Sequence, residues 1–173
     1  MPSLEDLAKR VRRLEDIEAI KQIIIIYGKG SDDHHNVDVM LPLFTEDGVL
    51  DVGSGYGRYE GREALREFLT GPAEEIIRWS IHYMLSPVIE VAEDGRTAHA
   101  FWYLWEVANM EDPRTKELEA MWIGGTYDSD LVKEADGQWR FKEIRLKMEF
   151  MSPYSEGWVK SPFHDFGLPT DGE

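Results

Sequence analysis

The sequence predicts an α+β fold in which a curved antiparallel sheet wraps around a long N-terminal helix and two shorter helices. Three observations carry this prediction. Apolar residues recur at helical spacing from Leu4 to Tyr27, four long β-rich runs follow Arg78, and good turn chemistry separates those runs. Helices first and consecutive hairpins afterwards is the signature of an α+β chain rather than an alternating α/β one.

The elements follow in order. Ser3 is a candidate N-cap, with Asp6 in place of the usual capping-box glutamate. Leu4, Leu7, Val11, Leu14 and Ile17 form a narrow stripe that Ile20, Ile23, Ile24 and Tyr27 continue, and Gly28 and Gly30 are expected to end the helix. The narrow first half fits packing against a second subunit or against the chain's own sheet. Asn36 is positioned to cap a helix from Val37 to Phe44, Gly48–Val52 reads as a strand, and residues 53–57 read as a glycine-rich turn. A third helix spans Gly61–Leu69.

The runs Ser80–Val91, Thr97–Asn109, Leu118–Val132 and Gln138–Met151 are divided by Glu93-Asp94-Gly95, Glu111-Asp112-Pro113 and Ala135-Asp136-Gly137. Strands this long imply strong curvature. One domain is expected over 1–173, with the helix at about 1–30, the main sheet at 80–152 and a tail at 153–173 that folds over a mouth or onto a neighbour. Both faces of 98–108 are apolar: Ala98, Ala100, Trp102 and Leu104 alternate with Phe101, Tyr103, Trp105 and Val107. A sheet apolar on both sides needs a cover on each, helices on one face and a second subunit or the tail on the other, and a homodimer or homotrimer is expected.

Composition narrows the function. The 173 residues contain no cysteine, which removes disulfides, thiolate catalysis and cysteine-based metal centres. A net charge of −15 disfavours nucleic acid, anionic membranes and polyanionic substrates. No apolar run reaches the length of a membrane span, and the acidic start lacks a signal-peptide pattern, so a cytoplasmic location is expected. Nucleotide loops, nucleophile elbows and zinc-protease motifs are missing. Adjacent His34 and His35 beside Asp32 and Asp33 invite a metal reading, but no third ligand has recognisable spacing, and no metal or cofactor is expected.

Four residues could move protons. Tyr27 and Asp32 stand near the end of the first helix, His82 shares a strand face with Met84, and Glu106 interrupts the face of Trp102 and Leu104. Read locally, each has an ordinary explanation: a core tyrosine, a helix-end aspartate, a satisfied core histidine, and a glutamate where a strand meets solvent. A carboxylate beside His82 would make it a competent base, and burial would make Glu106 an acid near neutral pH.

The ordered set 14–21, Tyr27, Asp32, 43–48, 59–65, 81–83, 102–104, 136–139 and 150–158 resembles the SnoaL-like branch of the nuclear-transport-factor-2-like superfamily. Within it the chain is similar to bile-acid dehydratases, scytalone dehydratases and hexachlorocyclohexane dehydrochlorinases. That resemblance implies a cone-shaped fold and cofactor-free elimination, with Asp32 orienting the base His82 and with Tyr27 and Glu106 on further catalytic positions. Met148 stands where related dehydratases carry an arginine. The implied activity is a lyase, foremost a dehydratase, acting on a bulky apolar ring compound walled by Phe44, Met84, Trp102, Trp122 and Met148. Retro-aldol cleavage, dehydrohalogenation and isomerisation need similar groups, and the same fold also serves non-catalytic binding and assembly subunits.

Overall fold

The computed structural model describes residues 1–53 and 56–166, so part of the expected 53–57 turn and the end of the tail lie outside the described residues. Helix α1 runs from Leu4 to Asp32 and opens on a reciprocal cap: Asp6 N–H donates to Ser3 Oγ and Ser3 N–H to Asp6 Oδ2, each at 3.0 Å. Its first twelve residues are exposed, Leu4, Leu7, Val11 and Leu14 included; burial begins at Asp16 and continues through Ile20, Ile24 and Tyr27. Asp16 ties this helix to the sheet, accepting from Trp139 Nε1 at 2.9 Å and Lys133 Nζ at 2.5 Å.

Gly28 and Gly30 do not end α1, contrary to the sequence expectation. They let it lie close to its neighbours. A Cβ on Gly28 would stand 3.1 Å from Met84 Cγ and 3.7 Å from the His82 carbonyl oxygen, and one on Gly30 would stand 2.6 Å from Met40 Cγ. The helix therefore gains one more turn and stops at Asp33, whose N–H donates to the Lys29 carbonyl.

Asn36 caps α2 through its side chain, but α2 spans only Val37–Met40. Pro42 then falls in a tighter turn, Leu41–Leu43, and β1 (Phe44–Asp51) begins four residues before the predicted strand. Strand β2 (Arg58–Glu60) leads into α3 (Gly61–Phe68), a wide π turn (Leu69–Ala73) containing Pro72, and the short α4 (Glu74–Ile76).

The four predicted hairpin strands are β3 (Ile77–Val91), β4 (Thr97–Glu111), β5 (Leu118–Lys133) and β6 (Trp139–Pro153). They pair antiparallel in sequence order, while β1 adds to β6 in parallel, giving the order β2-β1-β6-β5-β4-β3. Pro87 is accommodated because β3 is an edge strand, beside a register shift between Leu85 and Val88. A second shift falls at Gly124-Gly125. Side chains there would meet the Phe150 ring and the Lys147 carbonyl, so only glycine lets β5 and β6 bend together so closely.

Helices α1 and α3 cover one face of the sheet, over a core of Ile20, Ile24, Tyr27, Phe44, Trp102, Tyr127 and Phe141. On the other face, Trp158 of the tail packs against Trp105 and Phe150, and Tyr154 against Trp122. Tyr154 and Trp158 of the tail thus lie on the outer face, Phe163 forms a parallel bridge beside Met151, and Phe166 is buried in the core, while Tyr83, Leu85 and Tyr103 stay about half exposed on the outer face. No helix among the described residues is long and apolar enough to cross a membrane.

Candidate active site

One more turn of α1 carries Asp32 past Gly28 on the same helix face, toward β3. The close approach at Gly28 brings the carboxylate to His82. Asp32 Oδ1 accepts from the His82 backbone N–H at 2.8 Å and lies 2.8 Å from its ring Nδ1. A carboxylate can only accept, so Nδ1 carries the proton and Nε2 is the nitrogen left for chemistry.

Antiparallel register puts Glu106 of β4 directly opposite His82, and Glu106 Oε2 lies 3.2 Å from His82 Nε2. Glu106 is only 3% exposed, so the reading of a strand end meeting solvent does not hold. Burial raises its pKa above the usual carboxylate range, the charge on His82 works against that rise, and Asp32 adds to it. For His82, burial acts to lower the pKa, but Glu106 and Asp32 outweigh it and hold the imidazole above its ordinary value.

Tyr27 is buried among rings, with centroids 6.1 Å from Tyr127 and 6.2 Å from Phe44. Burial pushes its hydroxyl well above 10, while a hydrogen bond with Tyr127 pulls the other way. Tyr27 therefore stays protonated at neutral pH.

These groups meet at a cavity of about 380 Å³ enclosed by the helices and the concave face of the sheet. Tyr27, His82 and Glu106 line it; Asp32 stands behind His82. Of the five expected wall residues, Met148 alone lines the cavity. Phe44 is sealed against Tyr27 and Phe141, Met84 fills the gap between Gly28 and the Trp102 indole, whose N–H donates to its sulfur at 3.3 Å, and Trp102 is fully buried against Tyr127. All three face inward but are occupied in joining α1 to the sheet. Trp122 lies on the opposite face, its ring tilted against those of Trp105 and Tyr154, because alternation turns its neighbours Met121 and Ile123 inward.

The walls are instead Leu50, Phe68, Leu69, Ile76, Leu104, Met110, Ile123, Leu146 and Met151, with the hydroxyl-bearing Tyr56, Tyr59 and Tyr127. Strand alternation signals those on β4 and β5 and Leu146 and Met148 on β6; Met151 turns inward only through the register shift opposite Gly124-Gly125, and the contribution of the π turn has no local signal. His35 also lines the cavity, whereas His34 is exposed. The pair therefore diverges instead of converging on one ion, and no group of three or more His, Asp or Glu among the described residues could hold a metal.

The model of the SnoaL-like domain family matches residues 12–145. Hexachlorocyclohexane dehydrochlorinase LinA-type3 from Novosphingobium barchaimii superposes with a TM-score of 0.74 at 19% identity, over 84% of this chain and 94% of that one. A candidate scytalone dehydratase from Novosphingobium aromaticivorans gives 0.71 at 24% identity, over 84% and 91%. An NTF2-like protein with a cystatin-like fold from the same species gives 0.69 at 21%, over 92% and 96%. No curated protein is significantly similar in sequence. With three quarters of its length matched by one family model, the chain belongs to the SnoaL-like domain family, and it shares its fold with nuclear-transport-factor-2-like proteins.

Proposed function

We propose that the protein is a cofactor-independent lyase that removes water from a bulky, mostly apolar ring compound. The observation that supports it is the line Asp32–His82–Glu106 at the wall of an apolar cavity, with distances of 2.8 and 3.2 Å along it. His82 Nε2 takes a proton from carbon beside an activating group, while Nδ1–H stays on Asp32, which stabilises the imidazolium as it forms. The C–H electron pair becomes the new double bond. The carbon–oxygen bond breaks, and the leaving hydroxyl departs as water with the proton of Glu106.

A buried acid beside the base favours a hydroxyl over a halide, because a halide needs no proton to leave. Tyr27, kept protonated by burial, supplies a further donor at the same wall. We also propose that the chain works as a homodimer or homotrimer through the apolar residues still exposed on α1 and the outer sheet face.

A panel of ring-fused β-hydroxy ketones tests the reaction, with formation of the conjugated product followed by ultraviolet absorbance. The wild-type protein should convert at least one member, and His82→Ala should slow it by about 10²–10⁴-fold with an unchanged circular dichroism spectrum. Turnover preserved in His82→Ala, or none across the panel, overturns the reading.

A further inference from the structure

Two buried polar atoms of the cavity residues have no partner in the protein: Glu106 Oε1 and His35 Nδ1. The first belongs to the acid of the proposed reaction. The second is used by nothing in that chemistry. His35 is 7% exposed, and its ring lines the cavity on the side where α1 gives way to α2. Its backbone is in the left-handed region at φ 50°, after His34 at φ 54°, and its N–H donates to the Ser31 carbonyl at 3.3 Å. A non-glycine pair in that region is held by the surrounding structure, which fixes the backbone from which the buried ring projects.

Burial, more than the nearby charge of His82, lowers the His35 pKa to about 4. At neutral pH the ring is therefore an uncharged imidazole with one N–H donor and one acceptor nitrogen. A buried nitrogen without a partner carries a desolvation cost that a ligand's polar group would remove. The rest of the cavity restricts what that ligand can be. Among its described lining residues there is no lysine or arginine, and Glu106 contributes a carboxyl group. The cation that His82 can become is already matched by Asp32 at 2.8 Å and Glu106 at 3.2 Å, so an anion would find no free counter-charge there.

We propose that His35 is a specificity-determining residue that hydrogen-bonds an uncharged oxygen of the substrate, the carbonyl that acidifies the proton His82 removes, so that the substrates are neutral ring ketones and not carboxylates or phosphates. This rests on the lyase reading above. When the C–H bond breaks, its electron pair moves into the adjacent C–C bond and the carbonyl oxygen takes the enolate charge. The His35 N–H holds that charge without giving up its proton, as a neutral imidazole can. The pair then returns to expel the hydroxyl, which leaves with the Glu106 proton.

The probe is 2-tetralone, a neutral ring ketone with no leaving group, compared with tetralin and with 2-naphthoate. Affinities are measured by tryptophan fluorescence, and the carbonyl stretch of the ¹³C-labelled ketone by infrared difference spectroscopy. The ketone should bind wild type and His35→Gln about tenfold more tightly than His35→Phe, with a lower carbonyl frequency in the first two. Tetralin should bind all three alike, and 2-naphthoate more weakly than the ketone. The His35 ring nitrogens should also shift in ¹⁵N spectra of the wild-type protein on adding ketone, a readout that needs no variant.

The same dependence on His35 should persist in a His82→Ala background, so failure of the elimination chemistry and failure of this assignment are separable. Equal ketone affinity and carbonyl frequency in wild type and His35→Phe would overturn it. So would unmoved ring nitrogens, absence of ketone binding, or tighter binding of 2-naphthoate.

Discussion

Lowering the pH toward 4 places a proton on His35 in the unfolded chain that the folded protein does not accept. In the folded state its pKa is about 4, against 6.5 for a free imidazole, because burial penalises the cation first and the charges of His82 and His34 add to this, with Asp32 opposing. Between those two values the unfolded chain binds more protons, so stability rises with pH there. The contribution is complete above about 6.5 and is lost as the pH falls toward 4. At about 1.4 kcal/mol per unit, the gap amounts to about 3 kcal/mol. About 2 kcal/mol of it should disappear between pH 7 and pH 4.5. His82 and Glu106 have raised folded pKa values and work with the opposite sign, each adding stability that is lost as the pH rises through its own folded value. Subtraction of a His35→Phe variant isolates the His35 share. Urea unfolding of both proteins between pH 7 and 4.5 should show the wild type losing about 2 kcal/mol relative to the variant. The ring resonance of His35 should titrate with a midpoint near 4. Parallel stability profiles, or a midpoint near 6.5, would refute the assignment of a buried neutral ring.

Two other outcomes follow from the packing. Gly28→Val should press on Met84 and the His82 carbonyl, lift α1 from β3, and cost about 1–3 kcal/mol in urea unfolding together with a loss of turnover; full stability and activity would show that the close approach is not needed. Light scattering at physiological salt should give two or three times the 20.0 kDa chain mass, since Leu4, Leu7, Val11 and Leu14 on α1 and Tyr83, Leu85 and Tyr103 on the sheet remain exposed. A clean monomer mass would end the oligomer proposal.

The residues of the line Asp32–His82–Glu106 could be named before the structure, for different reasons. His82 and Glu106 could be placed on strand faces from alternation alone, and hairpin pairing then sets them opposite each other. Asp32 was nominated by resemblance; local chemistry made it only a helix-end aspartate. The glycines were misread because Gly28 and Gly30 look like stop signals in one dimension, whereas their function is to admit Met84 and Met40. The parallel addition of β1 to β6 also left no trace, since pairing partners distant in sequence are set by how the whole sheet closes.

The sequence by itself determined the long elements α1, α3 and β3 to β6, their order and the inward face of β4, because helical and strand periods are local and each is imposed by the chain's own geometry. Tertiary structure decided which inward residues border empty space. Phe44, Met84 and Trp102 all face inward, yet α1 rests on them; Leu104, Glu106 and Met110 stay open to the cavity because the α3 and π-turn cover stands off from the sheet there. The same applies to His35, whose ring is neutral only because the fold buries it without a partner for Nδ1. A cavity is a property of how elements fail to touch, and no period along the chain records that.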